Sequence, residues 1–401
     1  MQEAFGSLSG VKVVYAASAL AGPFAAQFMA EHGAEVIWVE RAGMPDNMRF
    51  LSNRGLMVEA DRRNQRNISL DIACEEGREI LLKLLTDADI FIESSKGDQY
   101  TRWDLSDETL WARNPRLVIV HISGFGRTGD PDRVSRPSYD PIAQAYGCLL
   151  QLNGFPDRAP ITAQPFLADY LTATFACSAA LAALHRSQRT GEGDSIDVAQ
   201  YETLIRMGGS PLINYLNEGT LPEREGSRHS KYAGCGAYLC GDGEYVYITF
   251  AGNGVVRRGL ALLGIELGSK GFPEKATAFL KESAAGLMLD ERLNSFCGEH
   301  SAMEADAAFN TAGVPCSAVY TYPMAAADRH YREREVFVEW DNVSGERIRG
   351  VNIFPKMQRH PGRIVRGAPS VGMDNDEILR DLDFDSDEIA ALYKRGIITR
   401  Q

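Results

Sequence analysis

Short apolar runs alternate with amphipathic stretches through the first third of this chain, and that pattern leaves few folds open to it. Val11–Tyr15 reads as a strand, the turn through Ala21 and Gly22 leads into a helix opening at Pro23, and Glu35–Val39 reads as a second strand. That is a βαβ unit. Ile90–Ile92 and Leu117–Ile122 are further apolar runs, and the amphipathic stretch Glu75–Thr86 continues the alternation. Strands apolar at every position are buried on both faces, so the expectation is a parallel sheet covered by helices.

Ala168–His185 is rich in Ala, Leu and Phe, with small residues at helical spacing and neither Pro nor Gly. It predicts a largely buried helix stopped by Thr190-Gly191-Glu192-Gly193. A strand at Ser195–Val198 and a helix at Glu202–Tyr215 follow, then a loop-like stretch, Asn217–Ser230, taken as a linker. Beyond it, strands at Ala237–Leu239 and Tyr245–Phe250 flank the hairpin signal Gly241-Asp242-Gly243. Amphipathic helices run to about residue 310, and after Tyr331 come short strand-like pieces and a terminal helix over Glu377–Lys394. The expected architecture is α/β: a large Rossmann-like domain over 1–225, to which 331–401 return, and a smaller α+β domain over 226–330.

With 401 residues, 44% of them apolar, the chain has ample material for such cores. A net charge of −12 argues against a broad nucleic-acid footprint, because releasing counterions from phosphates requires a basic face. No charge-free apolar run approaches about 18 residues and no secretion signal opens the chain, so no membrane partner is expected and the cytoplasm is the default location. The seven cysteines are an odd, scattered set that does not read as a disulfide framework. Cys235 and Cys240 are a poor zinc signature, the seven histidines form no ligand pair, and no metal site is expected.

Gly124-Phe125-Gly126-Arg127-Thr128-Gly129 follows a predicted strand and matches the dinucleotide fingerprint G-x-G-x-x-G. The fingerprint needs its third glycine inside a helix whose N-terminus receives the pyrophosphate. Here Asp130, Pro131, Ser135, Arg136 and Pro137 continue a loop instead. Glu40 stands where a ribose-binding acid would sit after the first βα turn, but that turn holds only Gly22. A nicotinamide or flavin enzyme is therefore disfavoured.

Several segments together resemble the CaiB/BaiF (class III) CoA-transferases, in family order over nearly the whole chain. They are Ala21-Gly22-Pro23-Phe24, Gly33–Ile37, Arg62–Leu70, Glu93-Ser94-Ser95-Lys96-Gly97, Ser123–Gly129, Ala168-Asp169-Tyr170, Gly191–Val198, Arg366–Pro369 and Gly372–Asn375. Residues near the N-terminus and at Tyr232–Gly236 are closest to carnitine CoA-transferase. Those around Ser95–Tyr100, Thr128–Pro131 and Arg366–Asn375 are closest to bile-acid CoA-transferases. The resemblance implies CoA transfer from an acyl-CoA to a free carboxylic acid and an interlocked homodimer. CoA would be a substrate, with no cofactor held permanently.

In the same resemblance Asp169 is the catalytic carboxylate, carrying first the acyl group and then CoA. A carboxylate suits that task because it can pass from anhydride to thioester and back. Its place at the start of a predicted helix favours the ionised form through the helix dipole. Lys96 matches a CoA-contacting lysine; Arg102 lies one place from the arginine that follows it in the motif. Arg63 and Arg66 are candidate local cations for the phosphates of CoA, and Arg41 is a candidate for its adenine or phosphate end, although a solvated surface arginine reads nearly the same. Gly252-Asn253-Gly254 resembles a glycine-rich oxyanion loop, although an ordinary strand-to-helix turn reads the same. Tyr139, Tyr146 or Tyr232 would face a quaternary ammonium or, equally, a steroid. An acyl-CoA racemase of the same fold is the alternative, and it needs a histidine near Ser138-Tyr139-Asp140, where this chain has none.

Overall fold

The structure, a computed structural model, describes residues 4–269 and 271–400. The chain divides into two compact units. The larger comprises the chain up to Leu149, Thr162–Gly219 and everything from Glu335 on; the smaller comprises Leu150–Ile161 and Thr220–Arg334.

The larger unit is built on a six-stranded sheet: β1 (Lys12–Ala16), β2 (Glu35–Arg41), β3 (Arg66–Leu70), β4 (Ile90–Glu93), β5 (Val118–Ser123) and β6 (Asp194–Ala199). The order is β3-β2-β1-β4-β5-β6, and every pairing is parallel. Alternate side chains go to opposite faces. Val13, Tyr15, Ile90, Ile92, Val118 and Val120 pack on one side, beneath the helices Ala21–Glu31 and Leu167–Thr190. Val14, Phe91, Leu117 and Ile119 pack on the other with Ile80, Leu81 and Leu85 of the helix Glu75–Leu85 and with Ile378, Leu379 and Leu392 near the C-terminus. The unbroken apolar runs thus belong to strands covered on both faces, as their composition predicts.

Leu167–Thr190 is long and apolar enough to cross a bilayer. In the fold its Ala168, Thr172, Ala173, Ala176, Ala180 and Leu184 are buried, against the Ala21–Glu31 helix, β5 and β6. The small side chains let those neighbours approach closely. Gly191, at a φ of +75°, ends the helix in the left-handed conformation that glycine accepts without strain.

Three elements differ from the sequence expectation. Arg66–Leu70, read as a segment before a helix, is the edge strand β3, because its polar groups find partners on β2 and near the C-terminus. Asp374 and Asn375 accept the Asn67 and Ser69 N–H groups at 2.8 and 2.9 Å, and the Asn67 amide bonds Glu40 and Gly372. The helix expected at Glu202–Tyr215 breaks at Gly208 into Gln200–Met207 and Gly209–Glu218. The terminal helix likewise divides into Asn375–Asp381 and Ser386–Lys394, the second opened by a capping box of Asp385 and Glu388. The Gly124–Gly129 segment is a loop after β5, closed by one helical turn, Pro131–Val134, which Asp130 caps.

In the smaller unit, β7 (Cys235–Leu239), β8 (Tyr245–Thr249) and β9 (Cys316–Ala318) form an antiparallel sheet over a core of Tyr238, Ile248, Phe250, Leu260, Leu293 and Phe309. Residues 150–161, assigned to the large domain from sequence, group with this unit. Gly226 N–H donates to Gly154 O, and Arg224 donates to the carbonyls of Phe155, Pro156 and Arg158, which holds the excursion there.

Candidate active site

Strand order reverses between β1 and β4, and their C-terminal ends leave a crevice of the kind in which open parallel sheets hold ligands. The loops after β1, β4 and β5 enclose a cleft of about 180 Å³ there, lined by Ser18–Gly22, Ser94–Lys96, Ile122–Gly124, Arg136–Tyr139, Asp169 and Gln200. The β1 loop is held from both sides: Asp46 accepts the Ala19 N–H at 3.1 Å and Arg62 donates to Ala19 O at 2.6 Å. Ala19 itself lies at a φ of +62°. Ser18 N–H donates to Ser94 Oγ at 3.1 Å, joining the loops after β1 and β4.

Asp169 sits in the first turn of Leu167–Thr190 with 7% of its surface exposed. Gln200, the residue after β6, donates its side-chain amide to Asp169 Oδ1 and accepts from Ser138 Oγ at 3.0 Å. The helix start has no side-chain cap of its own, and Phe166 precedes it in a left-handed conformation. Its cap comes from Asp140, whose Oδ2 accepts the Ala168 and Asp169 N–H groups at 2.7 and 3.2 Å. Gln144 donates to the other Asp140 oxygen at 2.5 Å.

That cap corrects the expectation that the helix dipole keeps Asp169 ionised. The donors at the helix start are occupied by Asp140. Burial, and then the neighbouring Asp140 charge, push the Asp169 carboxyl up to about 7, against which the Gln200 hydrogen bond works only in part. Near neutrality the site therefore holds both a protonated and an ionised population, and the ionised form is desolvated and more basic than an ordinary carboxylate.

Lys96 and Tyr139 line the same cleft as Asp169. Arg41 lines an adjoining one of about 270 Å³ at the ends of β1, β2 and β3, which shares Ser18 and includes Trp38, Asp46, Asp71 and Trp103. Arg102 is exposed and 3.3 Å from Asp98, and it lines neither cleft. Arg63 and Arg66 do not reach these clefts. Arg63 is buried, ion-paired with Glu31 and stacked over Trp340 at 4.8 Å. Arg66 is bound to Glu35 and Asp381 at 3.0 and 2.7 Å. Both cations are engaged by carboxylates away from the clefts, which corrects the expectation that they bind the phosphates of CoA. Gly252-Asn253-Gly254 lies in the smaller unit as a strand-to-helix turn: Gly252 N–H donates to Thr277 O, and the Asn253 amide bonds Glu274 O and Ala276 O.

Sequence reasoning missed Asp140, Gln200, Ser138 and Arg136. Asp140 carried a faint signal, an acid before Pro141 at a helix start. Nothing in the order of residues pairs 140, 169 and 200.

The model of CoA-transferase family III matches residues 8–375. Bile acid CoA-transferase BaiK of Clostridium scindens is 40% identical over 396 residues, covering 98% of this chain and 90% of that protein. The crystal structure of a CAIB/BAIF family protein from Brucella suis superposes with a TM-score of 0.80 at 29% identity, covering 94% of this chain and all of that one. A Mycobacterium tuberculosis protein shares the fold at 21% identity, with a TM-score of 0.80 over 94% of this chain and all of its own. Similarity of that extent along one continuous chain makes the protein an enzyme that belongs to the family III CoA-transferases.

Proposed function

We propose that this enzyme moves CoA from an acyl-CoA to a free carboxylic acid through an aspartyl-CoA thioester on Asp169. The observation that carries the reading is a buried carboxylate, raised to about 7, in the crevice where the strand order reverses. Asp169 attacks the thioester carbonyl, the C–S bond breaks, and CoA leaves as thiolate. The thiolate then attacks the Asp169 carbonyl carbon of the mixed anhydride and releases the donor acid, leaving the aspartyl thioester. The acceptor carboxylate displaces CoA to form a second anhydride, and the thiolate takes its acyl group, which regenerates Asp169.

Gln200 holds Oδ1, which leaves Oδ2 as the attacking atom and supplies a donor where negative charge collects when Cγ becomes tetrahedral. Gln200→Leu should lower kcat about 10²-fold with a smaller change in KM, measured by steady-state transfer kinetics. Lys96 and Arg41, at the two adjoining clefts of this Rossmann-type sheet, are the proposed phosphate and adenine contacts of CoA.

The acceptor is proposed to be of bile-acid rather than carnitine type. The Clostridium relative is named for bile acids, and Tyr139 and Ile142 of the helical segment beside Asp169 are exposed apolar surface. Arg133 lies over the Tyr146 ring at 5.4 Å, so a cation already occupies the face that a quaternary ammonium would seek. Dimerisation with a second copy, interlocked as the resemblance implies, is supported by the helix Gly209–Glu218, which buries no residue in the monomer and exposes Ile213 and Leu216. The cytoplasm is the proposed location, in keeping with seven free thiols.

The test is intact-protein mass spectrometry after mixing the enzyme with acyl-CoA and hydroxylamine, which traps an activated aspartyl group as its hydroxamate. A gain of about 15 Da on the Asp169 peptide, present in the parent and absent from Asp169→Ala, is expected. No adduct, together with α-proton exchange in deuterated water, would overturn transfer in favour of racemisation.

A further inference from the structure

His121, on β5, has no part in the transfer steps, yet it is among the most constrained side chains in the larger unit. It is 2% exposed, and each ring nitrogen faces a carboxylate: Nδ1 is 2.6 Å from Glu93 Oε1 and Nε2 is 3.0 Å from Asp107 Oδ1. A neutral imidazole has one donor and one acceptor nitrogen, so one of these contacts would set lone pair against lone pair. Two donors require the imidazolium.

The surroundings agree. Asp107, first residue of the helix Asp107–Arg113, also accepts from Arg127 Nη1 at 2.9 Å and Ser195 Oγ at 2.6 Å. Arg127 comes from the loop after β5, where its N–H donates to Asp197 of β6. Glu108 beside Asp107 is turned to solvent, and the buried Tyr100 hydroxyl also faces Glu93. These partners raise the His121 pKa against its burial and hold Asp107 well below the usual carboxylate range.

Glu93 closes β4, and its second oxygen accepts the Ser95 N–H at 2.5 Å. Ser94 in turn accepts from Ser18 N–H. The buried cluster therefore leads to two of the three loops that wall the Asp169 cleft, those after β1 and β4, and to the residue before Lys96. We infer that His121 is a positioning residue: held as an imidazolium between Glu93 and Asp107, it orients the Glu93 carboxylate that pins Ser94-Ser95-Lys96 for CoA. The inference rests on the CoA-transfer reading of that cleft. Its sign follows from the raised pKa. The clamp is complete below the ordinary histidine range and is lost as pH rises through the raised value, so CoA binding weakens on the alkaline side.

The experiment is calorimetric titration with CoA alone across the neutral-to-alkaline range. It uses an Asp169→Asn background so that Asp169 adds no titration of its own. In that background CoA affinity should fall with rising pH. Adding His121→Gln should weaken binding about tenfold at neutral pH and flatten the profile. Asp107→Asn should move the midpoint of the loss to lower pH. Nitrogen-15 NMR of the histidine-labelled parent gives an independent readout and should show both His121 ring nitrogens protonated at neutral pH. A neutral imidazole there, or unchanged affinity and pH profile in His121→Gln, overturns the inference while leaving the transferase reading intact. If the parent itself binds no CoA, the reading of the cleft falls and the inference falls with it.

Discussion

Asp169→Asn should reduce CoA transfer by at least about 10³-fold and at the same time raise thermal stability at alkaline pH. The amide is nearly isosteric and still accepts from Gln200, but it cannot form the anhydride. The stability gain comes from the same burial that makes the carboxyl basic. Folded Asp169 has its pKa raised from 3.8 to about 7, so the folded state holds this proton more tightly than the unfolded chain does. The sign is therefore the reverse of a salt-bridged acid. No cost arises below the unfolded value, stability is lost progressively as pH climbs from there to about 7, and the full cost stands above it. A shift of that size sets an upper limit of roughly 4 kcal/mol. Melting curves of parent and variant should nearly coincide in acid and separate through the neutral range, with the variant higher. Equal melting temperatures at all pH values would mean that Asp169 is not desolvated as the structure shows. In the parent, trapping by hydroxylamine should rise with pH through about 7, because only the ionised carboxylate attacks.

Arg63→Ala should cost about 3–5 kcal/mol of folding stability, read as a lower urea midpoint, without removing any contact to CoA. The guanidinium donates to Glu31 Oε1 at 2.6 Å and to Val351 O at 2.9 Å, and it covers the Trp340 ring. Trp340 lies on β10 (Phe337–Asp341), whose hairpin partner is β11 (Arg347–Val351). Its indole N–H donates to Glu59 at 2.6 Å. Removing Arg63 leaves Glu31 buried with only the Gln27 amide as a donor and no ionic partner among the described residues, and loosens the attachment of this hairpin to the first helix. The double variant Arg63→Met, Glu31→Leu should recover much of the loss, since it deletes both charges. A folded Arg63→Ala enzyme with a greatly raised KM for acyl-CoA would restore Arg63 as a ligand and refute the structural role.

Arg63 and Arg66 show where a sequence reading of function stops. An acidic chain that binds phosphates must gather cations, and a pair of arginines in a polar segment looks available. The segment is instead strand β3 and the turn before it, and its cations meet Glu31, Glu35 and Asp381, the last of them 315 residues away from Arg66. Lys96 and Tyr139 line the Asp169 cleft, because both follow a strand end or open a helix on the side of the sheet where βα loops gather. Periodicity also located β1, β2, β4, β5 and β6 to within a few residues, since apolar runs of strand length bounded by amphipathic helices have one economical packing.

By itself, then, the order of residues determined a parallel sheet under helices, a long helix beginning beside Asp169, and the family pattern. Those features are local: alternation, small-residue spacing and caps act over a few residues and survive in one dimension. Tertiary structure alone raised the Asp169 carboxyl, because burial, the charge of Asp140 29 residues before it and the hydrogen bond from Gln200 31 residues after it meet only in the fold. It also decided which cations are engaged by carboxylates, and it set Glu93 and Asp107 against the two ring nitrogens of His121. Electrostatic energies depend on distance and burial in space, and neither is written in the spacing of residues along the chain.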